Sequence, residues 1–420
     1  MSIASRAWWV WGLGALSFSY AFFQRVAPSV MVNDLMREFA VGAAVLGNLS
    51  AIYFYAYAGL QMPIGVALDR WGPRRMLTAA AVVAATGSAL FATVEGIGLA
   101  YVGRLMVGVG CAVGFVGALK LATHWFPANR FAFVSGMTMF VAMLGAIAGQ
   151  APLAALVGAV GWRVSMLGAA GFAVVLAVAT WLVVRDRPPG QVSANQGDAG
   201  QVSLGGSFAR VLAGRQNWII ALYGGAMTAP FLAYAGLWGV THQMRLYDLD
   251  RVAAAGSNSL MLVGWAVGAP AGGWISDRLG RRRLPMTAAA ALTLLGWLIL
   301  LYTPGLSLTM DQILLFLIGT VSGAMVICIA AARERAPAAV SGATTGFINM
   351  AMVGSGALLQ PGIGLLLDLS WDGVMQDGAR LYSLAAFDVA LVTLPGCAAL
   401  AIVASLVVPA KRNPSRAVTT

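Results

Sequence analysis

Charge is what this chain has least of. Only 10% of its 420 residues are Asp, Glu, Lys or Arg, while 60% are hydrophobic and the mean hydropathy is +0.81. Soluble domains carry about 25% charged residues, so a water-exposed globular fold is excluded. Lysine is almost missing, with Lys120 and Lys411 as its two copies. The three cysteines, Cys111, Cys328 and Cys397, lie far apart inside apolar runs, which argues against a disulfide framework and a zinc site. Two histidines, His124 and His242, form no H-x-x-x-H pair, and there is no C-x-x-C, Walker loop or G-x-S-x-G. No enzymatic chemistry, metal or cofactor is indicated.

What charge there is runs to one sign, with 26 Lys and Arg against 15 Asp and Glu. Nucleic-acid binding would need those cations gathered on a solvated face, but here they punctuate apolar runs. Such runs fall at about 8–31, 44–68, 76–94, 98–122, 131–158 and 164–184, and then at about 217–243, 253–276, 284–303, 310–332, 338–367 and 383–408. Each is long enough for one crossing of a bilayer, which takes about 20 helical residues. The opening MSIASRAWWVWGLGALSF begins like a signal peptide, but its apolar run continues without a small-residue cleavage site and reads as a retained first helix. Between the two sets of six lies a polar stretch rich in Gly, Ser and Gln. The chain therefore divides into a bundle over 1–184, a linker over 185–216 and a bundle over 217–420.

If both termini share one side, 18 of the 26 cations fall on that side with the linker, five on the other, and Arg25, Arg104 and Lys120 inside the apolar runs. The positive-inside rule makes the basic side cytoplasmic. An integral protein of a plasma (bacterial inner) membrane with both termini in the cytoplasm is expected, and self-contained halves make a monomer the default.

The halves repeat one another. GVALDRWGPRR, Gly65 to Arg75, recurs as GWISDRLGRRR, Gly273 to Arg283, and GAIAGQAP from Gly145 is echoed by GSGALLQP from Gly354 at nearly the same offset. Parallel repeats of this kind are a transporter architecture, with the solute held between the halves near the midplane. The duplicated G-x-x-x-D-R-x-G-[RK]-[RK] pattern resembles the signature of the major facilitator superfamily. Arg104, in RLMVGVG, is similar to that family's fourth-span R-x-x-x-G-x-G pattern. The resemblance implies an all-α membrane protein of twelve transmembrane helices in two pseudo-symmetric six-helix bundles, working by alternating access around a cavity lined mainly by spans 1, 4, 7 and 10.

Within the repeated motif, Gly65 and Gly72 would allow close approach and a tight turn. Asp69 would accept amide hydrogen bonds at a neighbouring helix N-terminus, latching the halves in one state. Its partners Arg70, Arg74 and Arg75, the second copy Gly273, Asp277, Arg278, Gly280 and Arg281, and Arg104 complete a gating set. If topology alone placed these arginines, an aspartate at a fixed offset would be unnecessary.

For the solute, Arg25 in YAFFQRVAPSV is the principal candidate. An intramembrane arginine costs about 2.5–3.5 kcal/mol on insertion scales and so faces a cavity or a partner. Its planar fork suits carboxylate or phosphate. Counted from Trp8, it lies about 26 Å along the helix, in the outer part of the bilayer, where snorkelling or pairing with Asp34 or Glu38 is the alternative. The run from Tyr20 to Pro28 is similar to first spans of organic-anion carriers of the same superfamily, anion:cation symporters and sugar-phosphate exchangers. Lys120 is a second cation that either meets the anion or snorkels inward. Tyr53, Tyr57 and Gln61 share one helix face and suit a cavity wall together with Tyr20, with Tyr234 and Asn349 as further lining candidates. Asp388, Glu95 and the two histidines read as residues near helix ends, so no coupling residue for H+ or a counter-ion is singled out. A secondary transporter that moves a small organic solute, anionic or zwitterionic, without a nucleotide is expected. Polyspecific efflux and a non-transporting sensor or assembly role are the rivals; the first would want embedded carboxylates, and the second has no use for two intact gate motifs.

Overall fold

A backbone inside hydrocarbon must satisfy its own polar groups, and a helix does so within one segment. In the computed structural model, which describes residues 3–188, 204–337 and 340–408, the apolar runs are accordingly helices. Spans 1 to 6 are Ile3–Val26, Ala43–Trp71, Pro73–Thr93, Ile97–Trp125, Phe131–Ala148 continued by Ala151–Val160, and Trp162–Val183. Spans 7 to 12 are Arg215–Tyr247, Arg251–Leu279, Arg283–Tyr302, Leu308–Arg333, Ser341–Leu369 and Leu384–Val407. Most of the linker, 189–203, lies outside the described residues; Leu204–Ala213 is a short helix.

Caps explain several starts. The side chains of Asp250, Ser307 and Ser383 accept backbone N–H bonds at the starts of spans 8, 10 and 12. Spans 2 and 8 run further than the hydropathy suggests, to Trp71 and Leu279, so most of the repeated motif is helix. The chain turns only at Gly72 and Gly280, whose φ values are +79° and +61°, a region glycine enters without penalty. The repeat is therefore structural as well as written in the sequence.

The first connection does more than join two spans. After Val26 the chain makes a 3-10 turn at Ala27–Val30 and a short helix at Val32–Glu38, whose Val32, Leu35 and Met36 are buried. This segment caps the end of the bundle remote from the chain termini, here called the far face; the other end is the terminal face.

Spans 1–6 and 7–12 meet along two seams. Span 2 lies beside span 11, and span 5 beside span 8. Every hydrogen bond and ion pair identified between the halves lies at the far face or at mid-depth. Arg251 pairs with Asp34 at 2.8 Å, the Tyr55 hydroxyl donates to the Ala357 carbonyl, and Asn349 reaches Gln61 at 3.4 Å. Toward the terminal face, the identified polar contacts stay within one half. The halves are thus joined at the far face and part toward the terminal face.

Candidate functional site

Arg25 lies in the last turn of span 1, yet its guanidinium carbon is 5.1 Å from the ring of Tyr57, the middle residue of span 2. The expectation that it sits in the outer bilayer is corrected by the 27–38 segment, which builds a further layer above it. Aromatic faces surround the cation, with Phe22 at 4.4 Å and Phe54 at 5.8 Å. Neither acid weighed as its partner is available: Asp34 pairs with Arg37 and Arg251, and Glu38 with Arg163. Arg25 is only 8% exposed, and its Nε has no hydrogen-bond partner.

Arg104 is more deeply held, 1% exposed, over the rings of Tyr53 and Phe91. Its Nη1 donates to the Gln24 carbonyl at 3.2 Å, while Nε and Nη2 have no partner. Gln24 in turn donates to Tyr20, whose hydroxyl meets Ser88 at 2.9 Å. Tyr53 and Tyr57 stack at 6.1 Å, so the two arginines flank one aromatic pair. The Tyr53 hydroxyl is used up on the Ala21 carbonyl, and the ring is fully buried. Gln61 is the member of that helix face that reaches the other half, through Asn349, and its Nε2 is a buried donor without a partner. Tyr20, Tyr53 and Tyr57 are therefore walls behind the arginines. Of the expected lining residues described, Gln61 and Asn349 are the two that meet across the seam.

Two expected contacts are placed elsewhere. Lys120 forms an ion pair with Asp69 at the terminal face. Tyr234 is buried in the second half, hydrogen-bonded to His242 at 2.9 Å.

The gating set is arranged differently from expectation. Asp69 bonds Lys120 instead of a helix N-terminus, and its copy Asp277 bonds Arg282 at 2.6 Å. Glu334 also holds Arg282, and these two carboxylates raise the pKa of its guanidinium above the ordinary arginine value. A Cβ placed at Gly65 or Gly273 would meet nothing within 4 Å, so neither glycine serves close approach here. No ion pair was identified for Arg70, Arg75, Arg278 or Arg281 among the described residues. The Arg74 side chain donates to the Trp181 carbonyl.

The carboxylates that do cap helices were not singled out from the sequence. Asp186, after span 6, accepts the Arg74 amide at 2.7 Å at the start of span 3. Asp368, at the end of span 11, accepts the amides of Ala43 and Ala44 at 3.1 and 2.9 Å. This second cap crosses between the halves. Span 2 begins after Gly42, which has no side chain of its own to cap it, and a Cβ there would collide with Asp368. Arg380 at 3.0 Å and the Tyr382 hydroxyl at 2.6 Å complete the cluster. Burial and the bond to Asp368 push the Tyr382 phenol above its usual range. A hint existed in "LLLDLS", where one carboxylate ends a long apolar run.

This architecture defines a class: a polytopic helical membrane protein of two repeated six-helix halves. The Major Facilitator Superfamily model matches residues 13–361, and the chain belongs to that family. Over 285 residues it is 25% identical to a protein named as a probable sulfoacetate transporter of Cupriavidus necator, covering 64% of this chain and 65% of that one. It is 25% identical to a probable L-galactonate transporter of Escherichia coli, covering 40% of this chain and 37% of that one. These matches thus span less than two thirds of the relatives' length. In fold, it is similar to a bacterial homolog of the human lysosomal transporter Spinster, with a TM-score of 0.79 at 15% identity over 96% of this chain and 97% of that one.

Proposed function

We propose that this protein is a secondary transporter that carries a small organic anion by alternating access. It would lie in a bacterial inner membrane with its terminal face in the cytoplasm. The observation that carries the reading is the pair Arg25 and Arg104, buried cations with unused donors and no carboxylate partner among the described residues. A buried charge left unpaired is costly, and an anion that brings its own negative charge removes the cost. Arg25 is the direct contact, since it is the more exposed of the two and lies at mid-depth. Gln61 and Asn349 contribute donors from the seam. Arg104, behind the tyrosine pair, adds positive potential to the same pocket. The names of the two relatives, both of organic acids, agree with this cargo class. With the halves joined at the far face, the conformation described is open toward the cytoplasm.

The test is thermal stabilisation of purified protein by carboxylates, sulfonates, phosphate esters and cationic dyes, followed by uptake into proteoliposomes. Anions are expected to raise the unfolding temperature. Arg25→Ala should abolish the shift, and Arg25→Lys should recover part of it, because an ammonium keeps charge but loses the fork. Stabilisation only by cationic dyes would overturn the anion reading in favour of efflux of cations.

A further inference from the structure

Asp311 lies in the first turn of span 10, near the far face, and none of its surface is exposed. Its Oδ2 accepts from Gln243 Nε2 at 2.8 Å, whereas Oδ1 has no partner. Gln243 is equally buried, and its Oε1 is also without a partner. Two acceptors in one enclosed group therefore lack a donor. The titratable groups around them, all on span 7, are Tyr234, which accepts from Gln243 Nε2 at 3.2 Å, His242 bonded to Tyr234, and Tyr247, whose hydroxyl is a hydrogen-bond partner of the Asp311 carboxylate. No Lys or Arg pairs with Asp311 among the described residues.

Buried polar atoms are almost always satisfied, and a lone buried carboxylate anion costs several kcal/mol. A single proton changes both terms: it turns Oδ1 from acceptor into donor and removes the charge. We propose that Asp311 is a proton-binding site whose occupancy is linked to closure of the far face.

The link runs through span 7. Residues Tyr234–Trp238 form a single π turn, an irregularity that helices keep mostly at functional positions. The first residue of that turn, Tyr234, belongs to the Asp311 cluster. The next, Ala235, offers its carbonyl to Gln150 of the opposite half at 3.0 Å and to Asn258 at 3.0 Å. Parting the far face must remove Gln150 from Ala235, and the turn that holds Tyr234 and Gln243 over the acid loses its brace. Water then reaches Asp311, which gives its proton to that water. Closure takes one proton up again.

The inference rests on the alternation proposed above, and its sign follows from linkage. The closed state holds the extra proton, so closed over open is highest at low pH and falls by up to about tenfold per pH unit as the proton is lost. The experiment uses the full-length protein with spin labels at Glu95→Cys and Thr303→Cys, exposed far-face positions on opposite halves. Their separation is measured from about pH 5 to 8, with the infrared carboxylic-acid band recorded on the same samples. Wild type should show the acid band and a pH-dependent closed fraction. Asp311→Asn, which mimics the neutral acid, should lose the band and stay closed at every pH. Tyr234→Phe should keep the band and weaken the pH response.

A band unchanged in Asp311→Asn would overturn the site, as would a pH response that survives it and disappears in His242→Gln. Sodium ions that replace acid in closing wild type, with no acid band, would overturn the proton in favour of a metal cation. A single separation at every pH, with the band present, would overturn the linkage and the alternation together; loss of anion stabilisation alone would leave the linkage standing.

Discussion

An unpaired arginine and an unpaired aspartate in apolar surroundings ask for opposite partners. Arg25 and Arg104 present donors without an acid among the described residues, a need that the anion proposed as cargo would meet as it comes and goes. Asp311 presents an acceptor without a base, which a proton satisfies. Both states depend on neighbours contributed by other spans. Glycine at the residue scale has a plainer part. A Cβ at Gly268 of span 8 would run into the Thr320 carbonyl of span 10, whereas one at Gly158 would meet nothing within 4 Å. Overpacking costs about 1–3 kcal/mol, so Gly268→Ala should lower the thermal unfolding temperature in detergent while Gly158→Ala leaves it unchanged or raised. Equal behaviour of the two would mean that spans 8 and 10 are not held at this spacing.

At the scale of elements, the far-face seam depends on one helix start. Span 2 opens with Gly42 and takes its cap from Asp368 of span 11. Asp368→Ala removes the acceptor from two amides, Arg380 and Tyr382. Losing a helix cap costs about 1–2 kcal/mol, which shifts the closed-to-open ratio by roughly five- to thirtyfold. The Glu95 and Thr303 label pair should report that shift as a larger open fraction; an unchanged distribution would show that Arg251–Asp34 and the π turn hold the seam alone. The same chemistry at the start of span 3 uses Asp186, within one half, so it steadies that half without joining it to the other.

At the scale of the whole molecule, the repeat and the arginine-rich turns give the protein an orientation that can be tested. Gly65 and Gly273 both have open space where a side chain would go, so Gly65→Cys and Gly273→Cys should fold and react. A membrane-impermeant maleimide is expected to label both in inside-out vesicles and neither in intact cells. The reverse pattern would place the terminal face outside.

Much of this was legible in the chain because hydrocarbon leaves little choice. Twelve long apolar runs must become helices, the repeat must show as GVALDRWGPRR and GWISDRLGRRR, and an arginine such as Arg25 inside a run must have a use. The turn expected at Gly72 is where the chain turns, with Gly280 its counterpart in the second copy, whereas Gly65 lies inside the helix. The partners were not legible, because they come from spans far apart in sequence. Lys120 and Asp69 are 51 residues apart, and Asp368 caps an amide 325 residues away. Asp311, two residues inside an apolar run, looks on paper like an ordinary helix start. Composition, periodicity and repetition determined the membrane setting, the helices and the two halves, since each follows from the cost of exposing a backbone to lipid. The choice of which carboxylate clasps which helix, and which charges are left without a partner, was made only by packing the spans together.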